Sequence, residues 1–440
     1  MAAYLNRLHH ISLRVSNVDK VAHELVSRFQ FRVFAARLTD RAKQLAVRRG
    51  SAVFVVNERA RGAPQRLTGH ESRVWSPVAG KHHQHFRNLY GAHAHYPVDT
   101  VSNVCFEVSD VESSSRALRD RGCEFLLPPT EVYDDSGTVT YSIVRSVVGN
   151  VCHTLVDTSR YRGVFLPGFC PVGTEDSDSD RSCPITHFDH ITYACTRRSS
   201  ADITRWYEKN FGFQRFFISR NEDVEDGYVL NHNGIGLRLT AMQYWKCSAS
   251  GVKLHRDQKE TDCKFVMAES LPEQGSNQVD TFLDEHRGAG IQHIGLYTED
   301  IVATARTLSR AGVRFFSPPP TYYTESNENE RSCCVCVQVG KQQEIREAGH
   351  DPHMLSPYGI LLDTDVHAHN SPSQRYLLQV FTKPIFEEDT FFLELIERRG
   401  ATGFGEGNIR ALWRSVQAYM NEEQECGQSD CKNTQSGQHS

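Results

Sequence analysis

Three ionisable side chains of this 440-residue chain stand where burial would penalise them: His190, His293 and Glu394. Glu394 lies in the run TFFLELI at 390–396, apolar on both faces, so a strand there gives its carboxylate no route to water. Burying a carboxylate unpaired costs several kcal/mol and drives it to take up a proton. A metal cation relieves that cost; a buried Arg, or an edge strand that turns Glu394 to solvent, relieves it too. His190 lies in FDHITY at 188–193 and His293 in IQHIGL at 291–296, each the third residue of a strand-like run. A lone histidine on a strand is ordinarily a core or surface residue. Two at equivalent positions of paired modules are brought face to face. Two neutral imidazoles and one carboxylate on neighbouring strands make the facial triad of non-haem Fe(II) oxygenases, which leaves coordination positions open.

The elements that must position these groups repeat. Four segments share a layout of strand, polar turn, amphipathic helix, Gly or Phe, and strand; they begin at Leu8, Val101, Phe188 and Ile291. In the fourth, Ile301, Ala305, Leu308 and Val313 recur near helical spacing, Asp300 stands where a carboxylate caps free amides, and Gly312 stands where a positive φ ends a helix. Strand-like runs follow each helix, as in 44–57, 138–157, 228–242 and 376–384. Each module reads β-α-β-β-β, giving an α+β chain whose four modules pair into two open-barrel domains. The first and third modules share Phe-Gln-Phe or Phe-Gly-Phe after the helix, and the second and fourth share a strand ending in Pro-Pro, so the chain is a duplicated pair. The expected organisation is an N-terminal domain at 1–172, a polar linker at 173–184, a C-terminal domain carrying the site at 185–420, and a disordered tail at 421–440. Segments 247–263 and 324–352 read as unstructured, being polar without sustained periodicity.

The repeat contains its own control. The first-half equivalents of His190, His293 and Glu394 are His10, Asn103 and Thr154. One ligand type survives, so the N-terminal half is expected to carry no metal and to serve as scaffold and wall.

Bulk properties limit the alternatives. Hydrophobic content of 39% and charged content of 23% are ordinary for a globular protein, and a net charge of −5 gives no reason to expect nucleic acid. No run of about 18 apolar residues is present to span a membrane. The 13 Cys are odd in number and irregularly spaced, which points to free thiols in a reducing compartment. Cys333, Cys334 and Cys336 lack the second CxxC or His pair that a zinc site needs. Arg7 and Arg14, with no acid in the first 18 residues, faintly suggest a mitochondrial presequence, but Leu8–Val15 reads equally as a strand.

The motifs FDHITYA at 188–194, WYEKNFGF at 206–213, QVDTFLDEHRGAGIQHIGLYTEDI at 278–301, PPPTYY at 318–323, GILLDTD at 359–365, YLLQVFTKP at 376–384 and TFFLELIERRGATGFGEGNIRALW at 390–413 resemble the 4-hydroxyphenylpyruvate dioxygenase and 4-hydroxymandelate synthase family, built on the vicinal oxygen chelate fold. YRGVFLPGF at 161–169 extends the resemblance into the first half, and together it covers roughly residues 7–420. VMAESLP at 266–272 and KQQEIREAGHDPHML at 341–355 resemble the divergent 4-hydroxyphenylpyruvate dioxygenase-like group.

The resemblance implies one Fe(II) per chain on His190, His293 and Glu394, and active-site glutamines at Gln278, Gln292 and Gln379. Strict strand alternation would point Gln292 away from the face of His293. The ring-packing Phe falls on Phe381, and the C-terminal lid supplies Phe404 and Asn408. Three positions depart from the dioxygenases: a substrate-contacting Ser is Leu239, a pocket Asn is Ala268, and a second lid Phe is Ile409. Lost hydrogen bonds at the first two are worth about 0.5–1.5 kcal/mol each in a neutral site. The pocket is therefore reshaped.

What the resemblance implies for chemistry is an aromatic 2-oxo acid that chelates Fe(II), O2 as co-substrate, and loss of CO2 coupled to hydroxylation. Attack at the benzylic carbon gives 4-hydroxymandelate; attack on the ring gives homogentisate. The first is the expected reaction, with a mitochondrial setting feeding the ubiquinone ring; a cytoplasmic setting and the homogentisate reaction of tyrosine metabolism are the alternatives. A homodimer is compatible with the family. The reading from another class is a non-catalytic binding protein on this fold, against which the complete triad argues.

Overall fold

The structure, a computed structural model, describes residues 5–39, 42–59, 96–173, 183–218, 222–224, 226–232, 235–244, 263–272, 274–318, 322–323, 335–364, 375–401, 403–405, 407–409 and 411. Most of the expected linker, most of 247–263, Cys333 and Cys334, and the tail lie outside these residues.

The N-terminal half contains β1 (Arg7–Val15), α1 (Val18–Ser27), β2 (Arg32–Thr39), β3 (Ala42–Arg49), β4 (Ala52–Glu58), β5 (Thr100–Glu107), α2 (Val111–Arg119), β6 (Phe125–Asp134), β7 (Gly137–Arg145), β8 (Cys152–Asp157) and β9 (Cys170–Pro171). Its sheet runs β6-β7-β8-β5-β1-β4-β3-β2-β9. The C-terminal half contains β10 (Ile185–Cys195), α3 (Ser200–Phe211), β11 (Gln214–Phe216), β12 (Tyr228–His232), β13 (Ile235–Tyr244), β14 (Cys263–Ser270), α4 (Gln278–His286), β15 (Gly290–Thr298), α5 (Ile301–Arg310), α6 (Val335–Glu347), α7 (Pro352–Leu355), β16 (Leu361–Thr364), β17 (Tyr376–Phe381) and β18 (Phe392–Arg399). Its sheet runs β11-β13-β14-β10-β15-β18-β17-β16, with β12 beside β13.

Each half joins two modules through the first strand of each: β1 pairs antiparallel with β5, and β10 with β15. The helices start on capping side chains. Asn17, Asp110 and Asp300 each accept from the amide three residues on, at 3.0, 2.9 and 2.8 Å. Gly312 follows α5 with φ +96°.

Alternation sorts the strand residues. Ile191, Tyr193, Ile294, Leu296, Leu393 and Leu395 point out of the curled sheet into a core shared by both halves. There Phe54 packs its edge on Phe188 at 5.0 Å between ring centroids, and His153 Nε2 meets the Tyr207 hydroxyl at 2.8 Å. The opposite strand faces line the interior of each curl.

One expectation is corrected. Within 324–352, which read as unstructured, residues 335–347 form α6. Among its described side chains the anchors are largely polar, which hydrophobic periodicity does not reveal: Ile345 is fully buried, while Glu344 accepts from the Thr364 amide at 2.9 Å and Lys341 pairs with Asp363 at 3.3 Å.

Candidate metal centre

β10, β15 and β18 lie side by side. His190 is registered opposite Gly295 on β15, and Gly295 opposite Glu394 on β18; Thr192 is opposite His293. The imidazoles and carboxylate therefore converge from three adjacent strands. Glu394 Oε2 lies 3.1 Å from His190 Nε2 and 3.7 Å from His293 Nε2, and one donor atom from each residue falls within 4.8 Å of the others. The two rings stand perpendicular at 5.7 Å. β18 is an inner strand between β15 and β17, so Glu394, 1% exposed, has no edge from which to reach water.

The space for the His190 ring depends on a glycine. A Cβ at Gly295 would stand 2.4 Å from both Cε1 and Nδ1 of that ring.

Pairing irregularities aim the neighbours. Between Thr192 and Tyr193, the partner on β15 jumps from His293 to Ile291, leaving Gln292 as an extra residue. This bulge turns Gln292 to the same side as His293, and both line one cavity. The expectation from strict alternation, that Gln292 points away, is thereby corrected. A second shift between Phe188 and His190 makes Asp189 the extra residue on β10.

The bulged residues hold the outer nitrogens of the two histidines. His190 Nδ1 donates to Asp189 Oδ1 at 2.9 Å, and His293 Nδ1 lies 3.3 Å from Gln292 Oε1. Each Nε2 is then the atom turned toward Glu394. Asp189 is itself held by Arg398, whose Nε and Nη2 each donate at 2.7 Å. Burial alone would raise the Asp189 pKa, but the Arg398 guanidinium holds it well below the ordinary carboxylate range. A buried Arg thus exists near Glu394, as one reading of the sequence allowed, but its fork is spent on Asp189.

Electrostatics divide the two histidines. Burial would lower the His190 pKa, but the Glu394 and Asp189 carboxylates outweigh it and hold it up to about 9. Burial and the adjacent His190 push His293 well below its usual value. The gap between His190 Nε2 and Glu394 Oε2 is the position where a cation would serve both. Outward donors held by acceptors, inward Nε2 atoms and a buried carboxylate all fit a divalent metal.

The remaining expected residues gather around this centre. Gln278, Leu239, Ala268, Phe381, Phe404 and Ile409 line the same cavity. Asn408 is fully buried and acts one step away, donating to Gln379 Oε1 at 2.9 Å. Gln379 Nε2 donates to Glu394 Oε1 at 2.9 Å and to the Phe404 carbonyl at 3.3 Å. Its amide is therefore committed to Glu394 and to the lid. Phe404 sets its edge against His190 at 5.3 Å, and Phe392 stacks on His293 at 4.7 Å. Part of the cavity lining is apolar, with Leu237, Val266 and Ile218 beside Leu239 and Ala268.

Sequence reasoning misses Asp189, Arg398, Thr192, Phe392 and, of the apolar wall, Leu237, Val266 and Ile218. Asp189 carries a signal, being a second ionisable group in an apolar strand next to a candidate ligand.

The N-terminal half repeats the register with other residues. His10 is opposite Cys105, Cys105 opposite Thr154, and Asn103 opposite Ser12. Thr154 donates to Asn103 Oδ1 at 3.1 Å, so two of the three triad positions satisfy each other by a neutral hydrogen bond.

The family profile of the glyoxalase/bleomycin resistance protein/dioxygenase superfamily matches residues 187–329. The chain is 41% identical over 421 residues to a 4-hydroxyphenylpyruvate dioxygenase-like protein of Rattus norvegicus, covering 95% of this chain and 98% of the rat protein. It is 40% identical over 430 residues to the protein of the same description in Homo sapiens, covering 97% and 100%. Among solved structures, a triple mutant of 4-hydroxymandelate synthase from Streptomyces coelicolor shares the fold, with a TM-score of 0.67 at 20% identity over 94% of this chain and 99% of that one. With its four modules paired into two curled sheets and its His-His-Glu centre in the second, the chain belongs to the 4-hydroxyphenylpyruvate dioxygenase-like family.

Proposed function

We propose that the protein is a non-haem Fe(II) dioxygenase that converts 4-hydroxyphenylpyruvate and O2 to 4-hydroxymandelate and CO2. The observation that carries this reading is one cavity lined both by His190, His293 and Glu394 and by a group of apolar side chains, Leu237, Leu239, Val266 and Ala268 among them. Fe(II) held by these three side chains would supply a redox centre with open coordination positions facing the cavity.

The chain's own residues divide the remaining work. Asp189 and Gln292 fix the histidine rings, and Gln379 fixes the Glu394 carboxylate. Phe381 and Phe392 pack beside the centre and Phe404 covers it, keeping water from the 2-oxo acid head of the substrate. The aromatic ring lies against Leu239, Ala268 and Val266, which offer it no side-chain hydrogen bond. With no hydrogen bond from these positions to draw the ring toward the centre, the benzylic carbon, bonded to the 2-oxo acid head, is the nearer target. The same reading sets the protein in the mitochondrion, its product feeding the ring of ubiquinone.

Mass spectrometry of the reaction product tests the proposal. The protein is reconstituted with Fe(II) in the absence of oxygen, then supplied with 4-hydroxyphenylpyruvate and O2. 4-Hydroxymandelate is the expected product; homogentisate as the main product overturns the benzylic assignment. Failure of the protein to bind Fe(II) without oxygen overturns catalysis itself.

A further inference from the structure

The interior of the N-terminal half has lost the triad but gathered another donor set. His9, His10 and Cys105 each place one ligand atom within 4.8 Å of the others. Two features of the pairing bring them together. The partner of β1 on β5 shifts between Leu8 and His10, so His9 is the extra residue of a bulge. Consecutive strand residues normally point to opposite faces; here His9 Nδ1 and His10 Nδ1 approach to 2.8 Å. Cys105 occupies the position equivalent to Gly295. In the C-terminal half that glycine leaves room for the ligand ring, whereas here a thiol side chain fills the space beside His10.

The surroundings are largely apolar. His10 and Cys105 are fully buried and His9 is half-buried. Phe165 packs on both imidazoles, at 5.4 Å from His9 and 5.5 Å from His10, and on Phe34 and Phe169.

We propose that His9, His10 and Cys105 form a second metal site, which binds one Cu(I) ion through two nitrogens and one sulfur in three-coordinate geometry. Two imidazoles and a thiolate suit soft, thiophilic ions. Charge then selects among them. An imidazole that gives a lone pair to a metal is neutral, and one thiolate balances one monovalent cation, giving a complex without net charge. Zn(II) on the same ligands would leave a positive charge in an aromatic pocket, which desolvation penalises. To straddle an ion at bonds of about 2.0 Å, the two nitrogens must open to roughly 3.4 Å, a small ring rotation. Binding releases one proton, from the Cys105 thiol, as the Cu–S bond forms; the proton shared between the imidazoles moves to the far nitrogen of its ring. No oxidation step is involved.

The test is anaerobic titration of the full-length protein with Cu(I) against the chromophoric chelator bicinchoninate, for the wild type, Cys105→Ser, Cys105→Ala, His9→Gln and His190→Ala. Circular dichroism checks that each variant is folded. The expected result is one ion in the wild type and in His190→Ala, and at least a 100-fold weaker site in whichever Cys105 and His9 variants fold. X-ray absorption at the copper edge should show one sulfur and two nitrogen neighbours. Unchanged affinity in folded Cys105→Ser or Cys105→Ala overturns the proposal, as does loss of the ion in His190→Ala, which would place it at the other centre. Zn(II) displacing Cu(I) at equal concentration overturns the monovalent assignment.

Discussion

Replacing Asp189 by Asn tests how the candidate centre is held together. The Asp189 carboxylate accepts from His190 Nδ1 and from two nitrogens of Arg398, all between 2.7 and 2.9 Å, with the two side chains of the ion pair 4% and 10% exposed. An Asn of the same shape keeps one acceptor and turns an NH2 toward groups that only donate. Breaking one partner of a buried ion pair costs about 3–5 kcal/mol, because the Arg398 charge is left uncompensated. Losing the acceptor that fixes a metal-binding imidazole costs about 10–100-fold in metal affinity, or roughly 1.4–2.7 kcal/mol. The two effects separate in the double variant Asp189→Asn/Arg398→Met. Removing the stranded charge should restore most of the stability, while Fe(II) affinity stays low because His190 still lacks its carboxylate. Urea unfolding in the presence of chelator reads the first quantity, and anaerobic Fe(II) titration reads the second. If folded Asp189→Asn binds Fe(II) within twofold of the wild type, Asp189 does not position His190 and the reasoning fails.

Three further outcomes are expected. Gly295→Ala should weaken Fe(II) binding by at least about 100-fold at nearly unchanged fold, since its Cβ would stand 2.4 Å from the His190 ring; retained affinity in the same titration would show that the ring relocates freely. Leu239→Ser with Ala268→Asn should move product from 4-hydroxymandelate toward homogentisate, by about 2–12-fold in ratio per hydrogen bond gained, read by mass spectrometry; an unchanged ratio would remove these positions from the control of outcome. Stability should fall on acidification through His153. Burial pulls its pKa down to about 4, against an ordinary 6.5, although the Val104 carbonyl works the other way. The unfolded chain therefore binds more protons between about pH 6.5 and 4, so stability is lost as pH falls through that window and is level above it, by up to about 3 kcal/mol. His286, also lowered to about 4 by burial, acts in the same direction. His153→Gln should reduce the slope of the urea midpoint against pH without abolishing it; an unchanged slope would sink this assignment.

Whatever rests on period and residue type is visible in the sequence. The module starts, the Asp300 cap, the strand positions of the triad and its first-half counterparts all follow from spacing, and the registers align His10 with His190 and Thr154 with Glu394. What stays hidden depends on one-residue shifts or on distant partners. A bulge has no fixed residue signature, so strict alternation misplaces Gln292 and gives no sign that His9 meets His10. The Asp189–Arg398 pair spans 209 residues of sequence. α6 is hard to read from hydrophobic periodicity because, among its described side chains, Glu344 and Lys341 tie it to β16 by polar contacts.

The extra residue on β15 has a consequence for how the centre can change. Ile291 and His293 are already in step with Tyr193 and Thr192, so excising Gln292 would leave an uninterrupted ladder with both neighbours in their present places. The His293 imidazole and the amide beside it are thus separable by deletion of a single codon. A strand built this way lets the inner surface of the cavity gain or lose a polar group without re-threading the sheet that carries the ligands.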